Sequence, residues 1–387
     1  MKKIFLPLIL LLLPLAASAV NNLLYGPWVH QVDEQGFTVL WISREPSLDF
    51  VQVAPDDGTA FERQPRARYY ENRFGRRVAS RYHCVRIDSL KPGTTYRYRI
   101  IGKVLTDDSS PYRLTFGPSR RWGPRKGYYQ VRTLNPDADT VRFSMFNDIH
   151  FNDARYAALA SGMDVEKSDF ILLNGDIVSF AQLADMIVKH TIAPIQEQAG
   201  KLPIVYCRGN HECRGTEFYK VIDLFPTPTG EFFYSFRQGP AAFIVLDTGE
   251  DKPDSSHEYA GTTDFDGYRN RQVEWLKKAV KDPAFVSAPI KICVIHGPTL
   301  YNKGSWYGEV WNATHLNPIL EQGGIDLMLS GHYHRWICSE AGQDGKNFPI
   351  LVNSNVERMD VVVTASSVDV KTYTEDRALS HQWDLKK

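Results

Sequence analysis

The chain predicts an all-β sandwich followed by a larger α/β unit, and the pattern of its apolar residues carries that prediction. Over residues 20–135 the β-rich runs are short and separated by turn residues, at spacings that suit a sandwich. After "LNPDADT" (134–140), which reads as a linker, apolar runs alternate with helix-length segments. Alternating strands and helices with near-continuous apolar strands imply largely parallel sheet covered on both faces. The expected units are 1–19, 20–135 and 136–387.

Composition agrees with two folded units. The 387 residues carry 45 Lys+Arg against 45 Asp+Glu and are 43% hydrophobic. That balance excludes a disordered chain, a collagen-like repeat and binding to nucleic acid by bulk charge. The sequence shows no internal repeat.

Residues 1–19 are not expected to belong to the fold. Lys2 and Lys3 form a charged start, an apolar run interrupted by Pro7 follows over 4–13, and Ala17-Ser18-Ala19 makes a small-residue cleavage site. This is the layout of a secretory signal peptide, which predicts export to the periplasm or the extracellular space. The run is shorter than the roughly 20 apolar residues that span a bilayer. No later segment reaches that length, so no transmembrane segment is expected in the mature chain.

In the first unit the strands fall at "GFTVLWIS" (36–43), "SLDFVQVAP" (47–55), "RYHCVRI" (81–87), "TTYRYRIIG" (94–102) and "YYQVRT" (128–133). Trp41 is expected in the core. In the second unit they fall at "VRFSMF" (141–146), "DFILL" (169–173), "LPIVYC" (202–207), "AAFIVL" (241–246), "IKICVI" (290–295), "IDLMLS" (325–330) and "FPILVN" (348–353). Helices are expected at 153–167, 180–199, 215–224, 268–281 and 314–322. Over 270–280, Val273, Leu276 and Val280 recur at near-helical spacing. Five cysteines are too few for a disulfide scaffold of this size. Cys207 and Cys293 sit in apolar runs and are expected as buried thiols.

Metal-type residues stand where the second unit's strands end. They are Asp148-Ile149-His150, Gly175-Asp176, Gly209-Asn210-His211-Glu212, His296 before Gly297-Pro298, and Gly331-His332-Tyr333-His334. Open α/β sheets bind ligands beyond the carboxyl ends of their strands, so these separate strand ends would deliver their side chains to one crevice. Any one of these motifs is a weak signal; their occurrence in order, each at a strand end, is not.

The set D-x-H, G-D, G-N-H-E, H-x-P and G-H-x-H resembles the calcineurin-like metallophosphoesterase superfamily over about the last two-thirds of the chain. The resemblance implies a mixed β-sandwich with flanking helices of the metallophosphoesterase type. Leu90-Lys91-Pro92-Gly93-Thr94-Thr95-Tyr96 resembles the turn-then-strand element of fibronectin type III domains, in which the Tyr hydroxyl ties a corner to the backbone. A fibronectin-like domain in front of this catalytic fold is similar to the layout of the purple acid phosphatases. Those enzymes use D-x-G and G-D-x-x-Y, whereas His150 and Ser179 stand at the corresponding positions here. A colourless divalent site is therefore expected in place of a tyrosinate-bound ferric one.

By resemblance, Asp148, His150, Asp176 and His334 would hold one metal ion, and Asp176 would bridge to a second completed by Asn210, His296 and His332. A donor set of imidazole, carboxylate and amide without thiolate suits Mn, Fe or Zn. The family mechanism this implies is attack by a metal-bound hydroxide on a phosphate monoester. His211 would donate a proton to the leaving oxygen, a role for which imidazole is well matched near neutral pH. Glu212 is read as facing the start of the next helix.

Candidate substrate contacts are Arg208, Arg214 and Arg335, which flank motifs, and Trp306 and Tyr307 in an aromatic group with Tyr301 and Trp311. The long polar segment 248–267 is the kind of insertion that covers an active site. Asn312-Ala313-Thr314 is a glycosylation sequon. The function these observations favour is a secreted binuclear phosphoesterase acting on a small-molecule phosphomonoester. A phosphodiesterase or nucleotidase is the nearest alternative, and an exported binding or adhesion protein with a vestigial metal site is the alternative of another class.

Overall fold

An unusually long strand organises the first unit. β1 (Leu23–His30) precedes β2 (Phe37–Pro55), and Pro46, which has no N–H to give a ladder, falls inside β2. Further strands are β3 (Tyr69–Tyr70), β4 (Ser80–Ile87), β5 (Thr95–Ser110) and β6 (Tyr129–Arg132). The first half of β2 pairs with β1 and β4, with Trp41 opposite His83. Its second half pairs with β3 and β5, and β5 pairs in turn with β6. The pairing with β4 is interrupted between Ile42 and Ser47, where β2 passes from one set of partners to the other. Trp41, Val39, Val51, Val85, Tyr98, Ile100 and Trp122 are buried together, so the apolar alternation becomes a core. The Lys91 N–H donates to the Tyr96 hydroxyl at 2.8 Å, the corner tie that the sequence of this turn implies.

The structure is a computed structural model that describes residues 21–124, 127–300 and 304–387. The export-signal reading of residues 1–19 and the aromatic Tyr301 lie outside the described residues.

In the second unit two mixed sheets face each other. The first contains β7 (Thr140–Phe146), β8 (Phe170–Asn174) and β9 (Ile204–Cys207), which are parallel, in the order β9-β8-β7. The second contains β10 (Tyr234–Gln238), β11 (Ala241–Leu246), β12 (Ile290–Ile295), β13 (Leu327–Ser330), β14 (Ile337–Ser339) and β15 (Ile350–Val352), in the order β10-β11-β12-β13-β15-β14. Only its edge strands β10 and β14 run antiparallel. β16 (Arg358–Thr364), β17 (Ser367–Tyr373) and β18 (Leu379–Lys386) extend the first sheet beyond β7 as an antiparallel meander.

The strands are apolar on both faces because each face meets a different layer. Phe143, Phe170, Leu172, Phe243, Val294 and Leu329 fill the space between the sheets. The alternate residues Phe146, Ile171 and Leu173 pack against α1 (Asp153–Ala160) and α2 (Ala184–Thr191). Ile244, Cys293, Ile295 and Met328 pack against α3 (Phe265–Ala279) and α4 (Tyr307–Gly323). The expectation of apolar, doubly covered strands holds, but the strands are divided between two sheets, so each has one face on sheet and one on helix.

Several helix bounds differ from the sequence reading, for local reasons. The helix expected over 180–199 ends at Thr191, and Pro194, which lacks an N–H, sits in the short turn Ala193–Ile195 that follows. The helix expected at 215–224 is only the turn Phe218–Lys220 and the single turn Val221–Leu224. α4 starts seven residues earlier than expected, at Tyr307, because the Glu309 carboxylate takes the Trp306 N–H at 2.9 Å and starts the helix there. This also disposes of the sequon. Asn312 is fully buried inside α4 and donates to the Thr248 carbonyl at 3.1 Å, so the folded chain offers no acceptor there. All five cysteines are free, with Cys207 and Cys293 buried as expected.

The two units share apolar surface. Trp28, Leu40 and Ile42 belong to the same buried cluster as α1 and α2, and the Trp28 indole donates to the Leu224 carbonyl at 3.0 Å. Arg81 and Tyr82 both reach Asp185, at 2.7 and 2.6 Å. No helix among the described residues is long and apolar enough to cross a membrane.

Candidate metal centre

Every motif singled out in the sequence lies just beyond a strand end, and the backbone there leaves ordinary conformations. Asp148, His150, Asp176, His332 and His334 all have positive φ, between 49° and 74°. Non-glycine residues rarely adopt this region, and it concentrates at functional sites where the surrounding structure enforces it. Here turns brace one another. The Asp148 N–H donates to the Gly175 carbonyl and the His150 N–H to the Asp176 carbonyl, each at 3.0 Å. The glycines of two motifs are required by close approach. A Cβ on Gly175 would lie 2.6 Å from the His296 ring, and one on Gly331 would lie 2.7 Å from Asp148 Oδ2.

The side chains converge accordingly. His334 Nε2 is 3.1 Å from Asp148 Oδ1 and 3.2 Å from His150 Nε2. His296 Nε2 is 3.1 Å from Asp176 Oδ2 and 3.8 Å from Asp148 Oδ1, and His150 Nε2 is 3.8 Å from the same Asp176 oxygen. Two clusters with metal-ligand spacing result, Asp148-His150-His334 and Asp176-His296-His332. A third, His150-Asp176-His211, brings His211 to the same place.

Atoms beyond these clusters aim the ligands. Asp148 Oδ2 accepts from Asn147 Nδ2 (2.7 Å) and the His332 N–H (2.8 Å), leaving Oδ1 toward the crevice. His296 Nδ1 donates to the Asn174 carbonyl at 2.7 Å, which fixes its tautomer and leaves Nε2 free. His332 Nε2 is 3.3 Å from the buried carboxylate of Glu309 on α4. His211 Nδ1 donates to the Ser179 carbonyl at 2.9 Å, so Nε2 accepts from Arg214 Nη1 at 2.9 Å and lies 3.9 Å from Asp176 Oδ2. Arg214 is itself gripped by both oxygens of Glu250, at 2.7 and 2.9 Å.

Whether these residues fit a cation is answered by what is left over. Asn210 Oδ1 is buried with no hydrogen-bond partner among the described residues, and Asp148 Oδ1 and His296 Nε2, although 3.1 Å from His334 Nε2 and Asp176 Oδ2, make no well-aligned hydrogen bond. Buried polar atoms left unsatisfied are costly, and here three from separate strand ends belong to one cluster of ligand-type side chains. Electrostatics asks for positive charge in the same place. Burial would raise Asp148 and Asp176, yet the neighbouring histidines hold both carboxyls below their usual range. Burial would lower His296, yet the same two aspartates push it well up. Divalent cations fit this donor set, in which amide and carboxylate oxygens stand beside imidazole nitrogens with no thiolate.

Glu212 does not face the next helix. Its carboxylate, 1% exposed, turns back and accepts the N–H groups of Asp176 (2.9 Å), Ile177 (2.8 Å), Val178 (3.3 Å) and Gly209 (2.9 Å). It ties two ligand turns together, and burial with Asp176 alongside pushes its carboxyl up to about 7. Glu212→Ala is expected to destabilise the fold by about 3 kcal/mol, since several buried N–H groups lose their acceptor at about 1–3 kcal/mol each and relieved repulsion from Asp176 offsets part of that. Urea unfolding checks this, and an unchanged midpoint would refute the bracing role.

The candidate substrate contacts separate into two kinds. The Arg208 guanidinium is buried, makes two bonds to Asp247 (2.9 and 2.6 Å) and lies 4.3 Å from the Phe232 ring. It holds the strand end and does not point at the cluster of ligands. Arg335 is exposed beside His334, and Trp306 and Tyr307 are exposed at the start of α4 on the His332 side. Segment 248–267 begins buried, with Glu250 on Arg214, and then forms a wall next to the site. Glu250 and Glu309 are the groups the motifs do not reveal, whereas Arg214 is among the flanking arginines singled out in the sequence. Arg214 stands three residues after His211, while both glutamates arrive from distant segments.

A sequence profile described as calcineurin-like phosphoesterase matches residues 141–336. The human serine/threonine-protein phosphatase CPPED1 is 23% identical over 190 residues, 45% of this chain and 57% of that protein, so the match spans less than two thirds of the relative. Among solved structures, GAP50, the anchor in the inner membrane complex of Plasmodium, aligns over 64% of this chain and 89% of its own, at 15% identity and a TM-score of 0.49. The 5′-nucleotidase of Candida albicans aligns over 66% of this chain and 52% of its own, at 13% identity and a TM-score of 0.33. The profile spans half of the chain and takes in every strand end that supplies the convergent Asp, Asn and His side chains, and on that match this chain belongs to the calcineurin-like phosphoesterase family of metal-dependent enzymes.

Proposed function

We propose that the protein is an exported, binuclear metal-dependent phosphomonoesterase. The observation that carries this reading is the set of unsatisfied buried atoms on Asp148, Asn210 and His296, which converge with His150, Asp176, His332 and His334. Asp148, His150, Asp176 and His334 would hold one divalent ion; Asp176, Asn210, His296 and His332 would hold the other. Ions of the Mn, Fe or Zn type suit those donors. Bound there, they would supply Lewis acidity and activate water near neutral pH.

The chain's own residues do the rest. Asn147, Asn174 and Glu309 orient Asp148, His296 and His332. His211, anchored through Nδ1, would give a proton from Nε2 to the leaving oxygen once that nitrogen is protonated and released from Arg214. Arg214, immobilised by Glu250 beside that nitrogen, is the one of the three flanking arginines placed to contact the phosphoryl group. Ser179 stands where a ferric enzyme of this layout has Tyr. Its hydroxyl is 3.4 Å from His150 Nδ1, which supports a colourless site. The corner tie at Tyr96 and the two partner sets of β2 support a fibronectin type III-like domain over 20–135. The charged start and apolar run at residues 2–13 support export to the periplasm or beyond.

Metal analysis of the purified protein, joined to hydrolysis of matched mono- and diester chromogenic substrates, tests the reading. About two divalent ions per chain and faster monoester turnover are expected. Faster diester turnover would move the assignment to a phosphodiesterase. A metal-free protein without turnover in added Mn, Fe or Zn would leave a vestigial site and a binding function.

A further inference from the structure

The basic charge of the first unit has no use in the phosphoesterase reading. Residues 20–135 carry 19 Lys and Arg against 11 Asp and Glu, although the whole chain is neutral. Part of that charge is matched within the fold: Arg81 pairs with Asp185, Arg86 with Asp33 and Asp88, Arg97 with Asp56 and Arg99 with Glu62. Arg76 and Arg77 are exposed, and neither makes an ion pair among the described residues. They stand on a small hairpin in which Asn72–Arg73 pairs with Arg76–Arg77, and Phe74 and Gly75 form the turn with φ of 50° and 83°. Positive φ at both turn positions favours Asn, Asp or Gly at the first of them. Phe74 occupies it, against the preference of a bulky residue, and its ring is 105% exposed, so it gains no burial in the fold.

The hairpin adjoins more bare apolar surface. Arg73, Ala184 and Lys220 wall one cavity of about 300 Å³ at the junction of the two units. Leu183 and Tyr219, which precede Ala184 and Lys220, are each 58% exposed, and Phe180 and Phe218 are exposed beside them in the chain. These two segments are fixed to each other and to the metal-type cluster. The Ala181 N–H donates to the Arg214 carbonyl at 2.6 Å, and the Glu217 N–H to the Ala181 carbonyl at 2.9 Å. Carboxylates around the hairpin are mostly matched, Glu71 by Arg73, Asp185 by Arg81 and Glu217 by Lys220. Asp223, exposed in the cavity wall, is the exception. The Lys220 ammonium also lies 5.9 Å from the Tyr219 ring, a cation at the edge of apolar surface.

Bare aromatic and aliphatic side chains edged by unpaired arginines are what a bilayer interface accepts: the apolar groups enter the acyl boundary and the basic groups meet anionic headgroups. An acidic polysaccharide would use Arg76 and Arg77 but leave Phe74 in water, and it is the competing outcome. We infer that the hairpin 72–77, with Leu183 and Tyr219 beside it, docks the protein on an anionic lipid bilayer and holds the opening of the metal-type cluster close to the headgroups.

Sedimentation of the full chain with phosphatidylcholine vesicles, with and without about 30% phosphatidylglycerol, tests the inference. Wild type and variants share residues 1–19, so the apolar run there cancels in each comparison. Arg76→Ala/Arg77→Ala should weaken partitioning onto the anionic vesicles by about tenfold or more and flatten its salt dependence, since each basic group near such a surface is worth about fivefold. Phe74→Ala should weaken it by about fivefold while the salt dependence stays, because the apolar contribution is lost and the charge is kept. Phe74→Trp, which keeps an aromatic ring at the turn, should bind at least as well as the wild type. Anionic vesicles bound equally by Phe74→Ala and the wild type would mean that charge alone is read, as for an acidic polysaccharide, and would overturn the inference. Unchanged binding by the double arginine variant, or no preference of the wild type for anionic over neutral vesicles, would overturn it as well.

Discussion

Asp176→Asn is expected to lower kcat/KM by about 10³-fold or more and to reduce the metal content of the purified protein. The residue follows β8, holds a left-handed backbone and stands 3.1 Å from His296 and 3.8 Å from His150. Asp148 also reaches His296, at 3.8 Å, but among the described residues Asp176 is the one carboxylate that belongs to two of the ligand-type clusters. An amide can present one oxygen to one cation but cannot share a negative charge between two. The loss corresponds to about 4 kcal/mol of transition-state stabilisation, within what a cation contributes to a phosphoryl oxygen. The fold should survive, because Asp176 Oδ1 accepts the His211 N–H at 2.9 Å and an Asn carbonyl accepts the same bond. Metal analysis and steady-state kinetics check the prediction. Two tightly held ions with near-normal turnover in the Asn variant would show that Asp176 is not the bridge.

The ligands of this centre are legible in the sequence because each is written locally. A strand end, a turn and a Gly beside an Asp or His occupy a few consecutive residues, and the glycine at 175 or 331 is forced by a contact that no Cβ tolerates. The groups that aim those ligands are not local. Glu309 reaches His332 from 23 residues away, and Glu250 reaches Arg214 from 36. Nothing in the immediate neighbours of either glutamate distinguishes it from a solvated surface charge. The apolar runs mark their strands correctly but not the division into two sheets, because a strand covered by sheet on one face and helix on the other is as continuously apolar as one covered by helices on both. Residues 358–386 show the opposite limit. There the edge meander β16-β17-β18 alternates more covered with less covered residues, and its polar face hides strand character from a search for apolar runs. Likewise the β-sandwich is docked through Trp28, Leu40 and Ile42, which read as internal core until their partners on α1 and α2 are seen. Removing residues 20–135 would bare that patch on the helix layer while leaving every proposed ligand in place.

His211→Ala separates proton donation from metal binding. His211 is near enough to Asp176 to be mistaken for a ligand, at 3.9 Å, and it completes a cluster of ligand-type atoms with His150. Its hydrogen bonds argue otherwise. Nδ1 is spent on the Ser179 carbonyl, and the Nε2 lone pair already accepts from the Arg214 guanidinium in place of a metal ion. The variant should therefore keep both ions while kcat on an alkyl phosphate falls by about 10²–10⁴-fold. A nitrophenyl phosphate should suffer much less, because nitrophenolate departs without a proton and an alkoxide does not. His332→Ala provides the contrast. That ring is held against Glu309 and shares a ligand-type cluster with Asp176 and His296, so its removal should release metal and harm both esters alike. Loss of metal from His211→Ala would make this residue a ligand. Equal losses on both esters at full metal occupancy would end the proton-donor role and leave His211, with Arg214, as a stabiliser of charge on the phosphoryl oxygens.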